Sequence, residues 1–366
     1  MRLRSLPFVF AALFTASAAA TEPAPGFALP EAGHVFSFPA DHGSHPAFKI
    51  EWWYVTGHLW SKGTRRFGFQ ATFFRFAGNH GSPHATPAFS EDQLFLAHMA
   101  VSDLSGHAFI SDERINRAGW DAHSAVGSLD VANGGWSLRG DGQAAPTMQL
   151  HGSVRADASF ELTLTPEKPL VIFGDDGVSH KGPEKSAASY YLTFSRLKAT
   201  GHLTIGGEAL TVDGQAWMDH EISSSQLGNG EIGWDWVSLQ LRDQPRELML
   251  YRLRHKDGSA DPASKLQWVD PNGKALTAPF TWEVLSTWKS QASASVYPAR
   301  VRLTTRDPAS GKDVTYTLEP LLDDQELKGT VGGSYWEGAC RVLNESGQDI
   351  GSAYLELTGY AKDLQL

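Results

Sequence analysis

Residues 213–254 read DGQAWMDHEISSSQLGNGEIGWDWVSLQLRDQPRELMLYRLR. The stretch sets Asp219, His220 and Glu221 among Trp217, Trp234, Asp235, Trp236 and Tyr251, the densest mixture of titratable groups and large aromatics in the chain. Successive side chains of a strand point to opposite faces, so Asp219 and Glu221 share one face while Met218 and His220 share the other. Asp219 and His220 become a dyad only if the strand bulges or ends there, which Ser223, Ser224, Ser225 and the glycines 228, 230 and 233 would permit. The plainer reading is a strand end whose charges satisfy one another locally.

Working outward, Ile50–Trp60 (IEWWYVTGHLW), a turn at 61–64 and Phe67–Phe76 (FGFQATFFRF) read as a hairpin. Trp53, Val55 and Leu59 fall on one face, and Trp52, Tyr54, Thr56 and His58 on the other. Both faces being aromatic, the strand is expected between a core and either a cavity or a second domain. His58 is a candidate cavity residue, whereas His98, alternating with apolar neighbours in Gln93–Leu104, reads as a satisfied core histidine. Asn79–Phe89 and Gly174–Ser189 are long polar loops, and the second has the length of a lid.

Trp52-Trp53-Tyr54-Val55-Thr56 is echoed by Trp234-Asp235-Trp236-Val237-Ser238, and Phe73-Phe74-Arg75 by Leu250-Tyr251-Arg252. A duplicated barrel would leave such a trace. Many short alternating runs, 36 glycines and 12 tryptophans point to an all-β chain. The length of 366 residues exceeds what one hydrophobic core usually supports, so two domains are expected.

Arg2 and Arg4, an apolar run from Leu6 to Phe14 and Ala18-Ala19-Ala20 read as a secretory signal at residues 1–20, followed by an extended leader at 21–33 with order beginning near His34. The domains are expected at 34–222 and 223–366. No apolar run is long enough for a permanent membrane span. Cys340 is the only cysteine, which excludes an internal disulfide and a multi-cysteine zinc site. Without Arg2 and Arg4 the chain has 29 basic against 41 acidic residues, a charge that disfavours nucleic acid and anionic membranes as partners.

Gly228-Asn229-Gly230-Glu231-Ile232-Gly233 matches GxGxxG in form, but a strand follows it and no helix N-terminus is there for a pyrophosphate. The chain has no GxSxG, Walker or HExxH motif. No metal and no cofactor are expected.

EWWYVTGHL, DGQAWMDHE, WDWVSLQL, LMLYRLR, YWEGA and YLELTGY together resemble the AttH-type predicted secreted hydrolases, relatives of the carotenoid 1,2-hydratases (hydroxyneurosporene synthases). The resemblance is collinear from His34 to Tyr360. It implies two lipocalin-like antiparallel β-barrels packed together, holding an apolar small molecule, with Trp-Met-Asp-His-Glu at their junction. In the hydratase branch the pattern uses a His, an aromatic two residues later and a Tyr-x-Asp on a following strand. His220 and Tyr251 match it, but Ile222 and Leu253 replace the aromatic and the acid. The proton would then come from Asp219, Glu221 or Asp235.

The expected catalytic set is thus Asp219, His220, Glu221 and Tyr251. Trp53, His58, Trp217, Trp234, Asp235 and Trp236 are expected to bind the ligand. The activity implied is hydration of an isoprenoid- or lipid-like C=C bond. A non-catalytic carrier and an ester hydrolase are the alternatives, the latter lacking a recognisable nucleophile. Protein recovered from the periplasm or medium should lack residues 1–20 by intact mass, and a chain that still carries Arg2 and Arg4 there would contradict the export signal.

Overall fold

The computed structural model describes residues 26–61, 65–78, 93–119, 121–329 and 333–364. The expected export signal and the loop Asn79–Phe89 lie outside the described residues. Among the described residues, apart from one short 3-10 turn, Ala40–His42, the regular structure is all strand, in two nearly closed antiparallel barrels and a small two-stranded sheet of Thr287–Lys289 and Val296–Pro298. Among the described residues no helix is long and apolar enough to cross a membrane.

The first barrel is ordered around Ile50–Ser61, which pairs with Arg66–Phe76 on one side and Glu208–Ser225 on the other. Arg66–Phe76 continues to Leu94–Asp103, and Glu208–Ser225 to Ala188–Ile205 and then Ala158–Pro166. The two 18-residue strands Ala188–Ile205 and Glu208–Ser225 form a hairpin closed by Gly206 and Gly207. Both glycines have positive φ, +57° and +82°, as a tight two-residue hairpin turn requires. In the second barrel Glu231–Leu241 lies between Glu247–His255 and Asp349–Leu357, and Asp349–Leu357 pairs onward with Ser334–Leu343. The first sheet ends at Ser225 and the second begins at Glu231, so residues 226–230 make the crossing, a few residues beyond the expected division at 222.

Alternation decides which side chains fill which space. Trp53, Val55 and Leu59 enter the first core with Phe67, Phe69 and Phe160. Val237 and Leu239 enter the second core with Trp268 and Trp336. The opposite faces of the same strands, carrying Trp52, Tyr54, Trp217, Trp236, Met249 and Tyr251, pack against each other between the barrels. The internal echo is realised here: Trp52 stacks on Trp234 at 6.5 Å and 19°, and Tyr54 meets Trp236 edge-on at 5.1 Å. Equivalent positions of the two halves therefore face one another. The sheets approach so closely beside them that a Cβ on Gly68 would lie 2.7 Å from the Ala339 Cβ.

A bulge in Ala188–Ile205, between Phe194 and Leu197, helps lock the barrels together. It frees Ser195 and Arg196 from the ladder, and both side chains donate to Glu247 of the second barrel, Arg196 Nε at 2.6 Å. Lys168 joins them. Gln240 Nε2 in turn donates to the Ser195 and Ala216 carbonyls at 2.8 and 3.0 Å. A bulge normally leaves backbone groups unpaired, and here Gln240 of the other barrel satisfies the Ser195 carbonyl while Glu167 N–H donates to the Arg196 carbonyl at 3.0 Å.

The leader was expected to stay off the core until His34, but it is already tied to the first barrel. Ala28 N–H donates to Ala47 O, Ser224 Oγ to Ala28 O, and Gly33 N–H to Asp176 O. Glu247→Ala would leave Lys168 and Arg196 buried without their carboxylate. Urea unfolding should show a loss of about 3–5 kcal/mol, and a loss below about 1 kcal/mol would mean that the cluster does not hold the barrels together.

Candidate active site

A cavity of about 370 Å³ lies between the barrels, within the size range of small-molecule sites. Trp52, Phe74, Leu96, Trp234 and Trp236 supply apolar wall, and Asp219, Glu221 and Glu356 supply carboxyl groups. The strand carrying Asp219 pairs regularly with Ile50–Ser61 through this region, Tyr54 opposite Asp219 and Trp52 opposite Glu221. No bulge brings His220 to the same side.

Asp219 is buried and receives three hydrogen bonds. Thr193 Oγ1 and Trp217 Nε1 donate to Oδ1 at 2.6 and 2.7 Å, and the Tyr191 hydroxyl donates to Oδ2 at 2.7 Å. Tyr191 is held in turn by Trp236 Nε1–H at 2.8 Å. Burial raises the Asp219 pKa, and Glu221 nearby adds to the rise; the three donors pull it back, and it settles at about 7. Oδ1 is filled by two donors, so Oδ2 is the oxygen with a lone pair left to carry a proton.

Glu221 accepts from Ser189 Oγ at 2.5 Å and pairs with the buried Lys181 ammonium at 3.3 Å. Lys181 also lies over the rings of Tyr191 and Tyr251, at 4.7 and 4.0 Å. Burial lowers its pKa. Glu356 accepts from Trp234 Nε1 at 3.1 Å and stands opposite Glu337 on the neighbouring strand. Burial holds both of these acids above the ordinary glutamate range, Glu337 with added repulsion from Glu356 and Glu356 with added repulsion from Glu221 and Asp219. His98 and Tyr335, hydrogen-bonded at 2.8 Å, close another part of the wall.

The structure brings together Asp219, Glu221, Trp234 and Trp236 in the cavity wall. Trp217 stands just behind, through its bond to Asp219 and an edge contact to Trp236 at 6.2 Å. Tyr251 lines an adjoining side chamber, its hydroxyl donating to His180 O at 3.2 Å. Leu253, where the resemblance called for an acid, lines the same chamber, and the carboxylate there comes from Glu221.

The other four expected residues lie away from both the cavity and its side chamber. His220 points into the first barrel, stacked on Trp53 at 4.7 Å, with Nε2–H donating to Glu51 Oε1 at 2.8 Å. Burial lowers its pKa to about 4 despite the carboxylate. Trp53 is core, its Nε1–H bonded to His42 O. His58 faces the junction but outside the cavity. It donates through Nε2 to Ala353 O at 2.9 Å and accepts from Arg66 at Nδ1, and burial beside that guanidinium lowers its pKa to about 3. Asp235 alternates away from Trp234 and Trp236, paired with Arg252 and Arg254 at 3.1 and 3.0 Å and accepting from the Tyr360 hydroxyl.

Among the described residues one group could in principle ligate a metal: His45, Glu51 and His220, whose donor atoms lie within 4.8 Å of one another. Its chemistry argues against that use. Glu51 accepts from both imidazoles through Oε1, and from Ser44 Oγ, His45 N–H and the Arg75 guanidinium through Oε2. An added cation would sit against buried Arg75, so the cluster is a structural ion pair under the first barrel.

Tyr191, Lys181, Glu356, Glu337 and the cavity role of His98 were not anticipated from the sequence. One signal for Glu356 was available. Trp217-x-Asp219-x-Glu221 is matched by Tyr354-x-Glu356-x-Thr358, which extends the echo of the two hairpins. The registers bear this out, with Tyr54 opposite Asp219 and Trp236 opposite Glu356.

A family model of AttH-like proteins matches residues 29–360. The chain belongs to the AttH-like family. It is similar to the crystal structure of an AttH protein from Nitrosomonas europaea, with 35% identity over 90% of this chain and 98% of that one, at a TM-score of 0.78. It shares a fold with kievitone hydratase from Nectria haematococca, at 15% identity and a TM-score of 0.67, covering 91% and 96% of the two chains. CghA with Sch210972 follows, at 12% identity and 0.54, covering 92% and 97%. These last two likenesses concern the lipocalin-like two-barrel architecture alone. No curated protein matches the chain.

The folded-state pKa of Asp219, about 7, lies above the ordinary 3.8 of an unfolded chain. Between these values the folded chain keeps a proton that the unfolded chain has lost, so this residue's contribution to stability falls as pH rises through that window. Asp219→Asn removes that dependence. Urea unfolding of both proteins should show the stability difference shifting towards the variant by on the order of 3 kcal/mol between about pH 4 and pH 7. A constant difference would mean that Asp219 ionises as an ordinary aspartate.

Proposed function

We propose that this AttH-like protein is an exported, cofactor-free hydratase-type enzyme that adds water to, or removes it from, a C=C-bearing apolar small molecule of isoprenoid or lipid-like character. The observation that carries the reading is Asp219, a carboxyl whose pKa near neutrality suits a general acid, set in a cavity walled by tryptophan. Asp219 protonates the alkene carbon through Oδ2. The resulting carbocation is stabilised by the π faces of Trp52, Trp234 and Trp236. Water attacks it, and Glu221 takes the released proton. His220, turned away and bonded to Glu51, supports the strand from the other face and does not touch substrate.

A non-catalytic carrier is the second reading, favoured by Leu253, which departs from the hydratase pattern, and by His220, which matches that pattern in sequence but turns into the first barrel. Farnesol and related acyclic isoprenoids, incubated with the protein in deuterated water, separate the two readings. The enzyme forms an alcohol carrying deuterium on carbon, while a carrier returns its ligand unaltered. Asp219→Asn should lower the rate by about 10²–10⁴-fold, and the parent rate should fall as pH rises through about 7, as the acid ionises. Unchanged turnover in Asp219→Asn would remove Asp219 as the acid.

A further inference from the structure

Beside the main cavity, sharing with it Trp52, Glu221, Trp234 and Trp236, is a side chamber of about 20 Å³. Its other walls are Lys181, Gln226, Tyr251 and Leu253. A water needs roughly 10–15 Å³ of such space and two to four polar partners. The chamber is therefore matched to one water and too small for a substrate's carbon skeleton.

Its polar groups are unusually uncommitted. Gln226 is only 3% exposed, yet its Nε2 amide has no hydrogen-bond partner among the described residues. A buried donor left in this state costs about 1–3 kcal/mol, so a group that accepts from it is expected. Glu221 uses Oε2 for Ser189 and Lys181, which leaves Oε1 to accept. The Lys181 ammonium has three donors and spends one on Glu221, its remaining contacts being ring faces. One oxygen here could accept from Gln226 and Lys181 while donating to Glu221.

We propose that the side chamber is a one-water site, in which Gln226, Lys181 and Glu221 hold the nucleophile of the hydration reaction; this inference rests on the hydratase reading above. The chamber shares its tryptophan wall with the main cavity, so a water in it lies next to a cation formed there. The water oxygen forms the C–O bond to that cation. One water proton passes to Glu221, which balances the proton delivered by Asp219. Lys181 pairs with Glu221 at 3.3 Å and so sets a cation beside the accepting group in a buried place. Gln226 is the residue whose only evident task is to orient the water.

High-resolution crystal structures of the full chain and of Gln226→Leu test the site without a substrate. The expected result is an ordered water within hydrogen-bond distance of Gln226 and Glu221 in the parent, lost in the variant. A dry chamber, or the same water in both proteins, overturns the proposal. Deuterium labelling with farnesol reads its role: Gln226→Leu should form alcohol at least tenfold more slowly while deuterium exchange into the alkene carbon continues, because protonation by Asp219 is untouched. An equal fall in both rates, or none in either, overturns it. Tyr251→Phe, which keeps the ring and all three water partners, should retain the water even if Gln226→Leu proves unstable, and its loss there would also count against the assignment. A parent that holds the water but transforms no alkene would end the hydratase reading and leave the water site standing. An active parent with a dry chamber would do the reverse.

Discussion

The Asp219 carboxyl sits where two opposing influences meet. The surrounding tryptophans and the closed junction disfavour its charge, whereas Thr193, Trp217 and Tyr191 donate hydrogen bonds that favour it. Neither wins outright, and an acid poised near neutrality is the outcome. Each donor is placed by the fold: Thr193 by the neighbouring strand, directly opposite Asp219, Trp217 two residues away on the same face, and Tyr191 by its own bond from Trp236 of the second barrel. Separating the barrels would therefore both hydrate Asp219 and release one of its donors.

That dependence explains why the junction is held by more than apolar contact. The Ser195–Arg196 bulge carries cations and a hydroxyl across to Glu247, and Gln240 returns hydrogen bonds to the bulged strand. A buried cluster of this kind adds little net stability over apolar packing, but it is intolerant of misalignment. Register between the barrels is what the site needs, since stacking of Trp52 on Trp234 and the edge contact of Tyr54 with Trp236 set the cavity's width.

The likeness of the two halves supplies a second layer of order. Equivalent strands contribute Asp219 from one half and Glu356 from the other, each on the face turned to the shared cavity. The halves differ in what surrounds the acid. Asp219 is dressed with three donors, while Glu356 keeps one, from Trp234, and faces another buried glutamate, Glu337.

The sequence by itself determined the all-β class, the placing of Trp53 and Trp52 on opposite faces of one strand and the paired hairpins, and it put His220 on the face opposite Asp219 and Glu221 unless a bulge intervened. Each follows from the two-residue period of a strand, which is local and readable. Only the tertiary structure decided which face met the cavity. His220 and Trp53 proved to belong to the first core and its underlying ion pair, and His58 to a contact outside the cavity, because a strand between two packed layers buries both faces and the pattern of apolar residues no longer tells them apart. Lys181, Tyr191, Gln226 and Glu356 were equally hidden. They come from a loop, a neighbouring strand, the crossing segment and the last strand, and they converge only when two barrels close against each other.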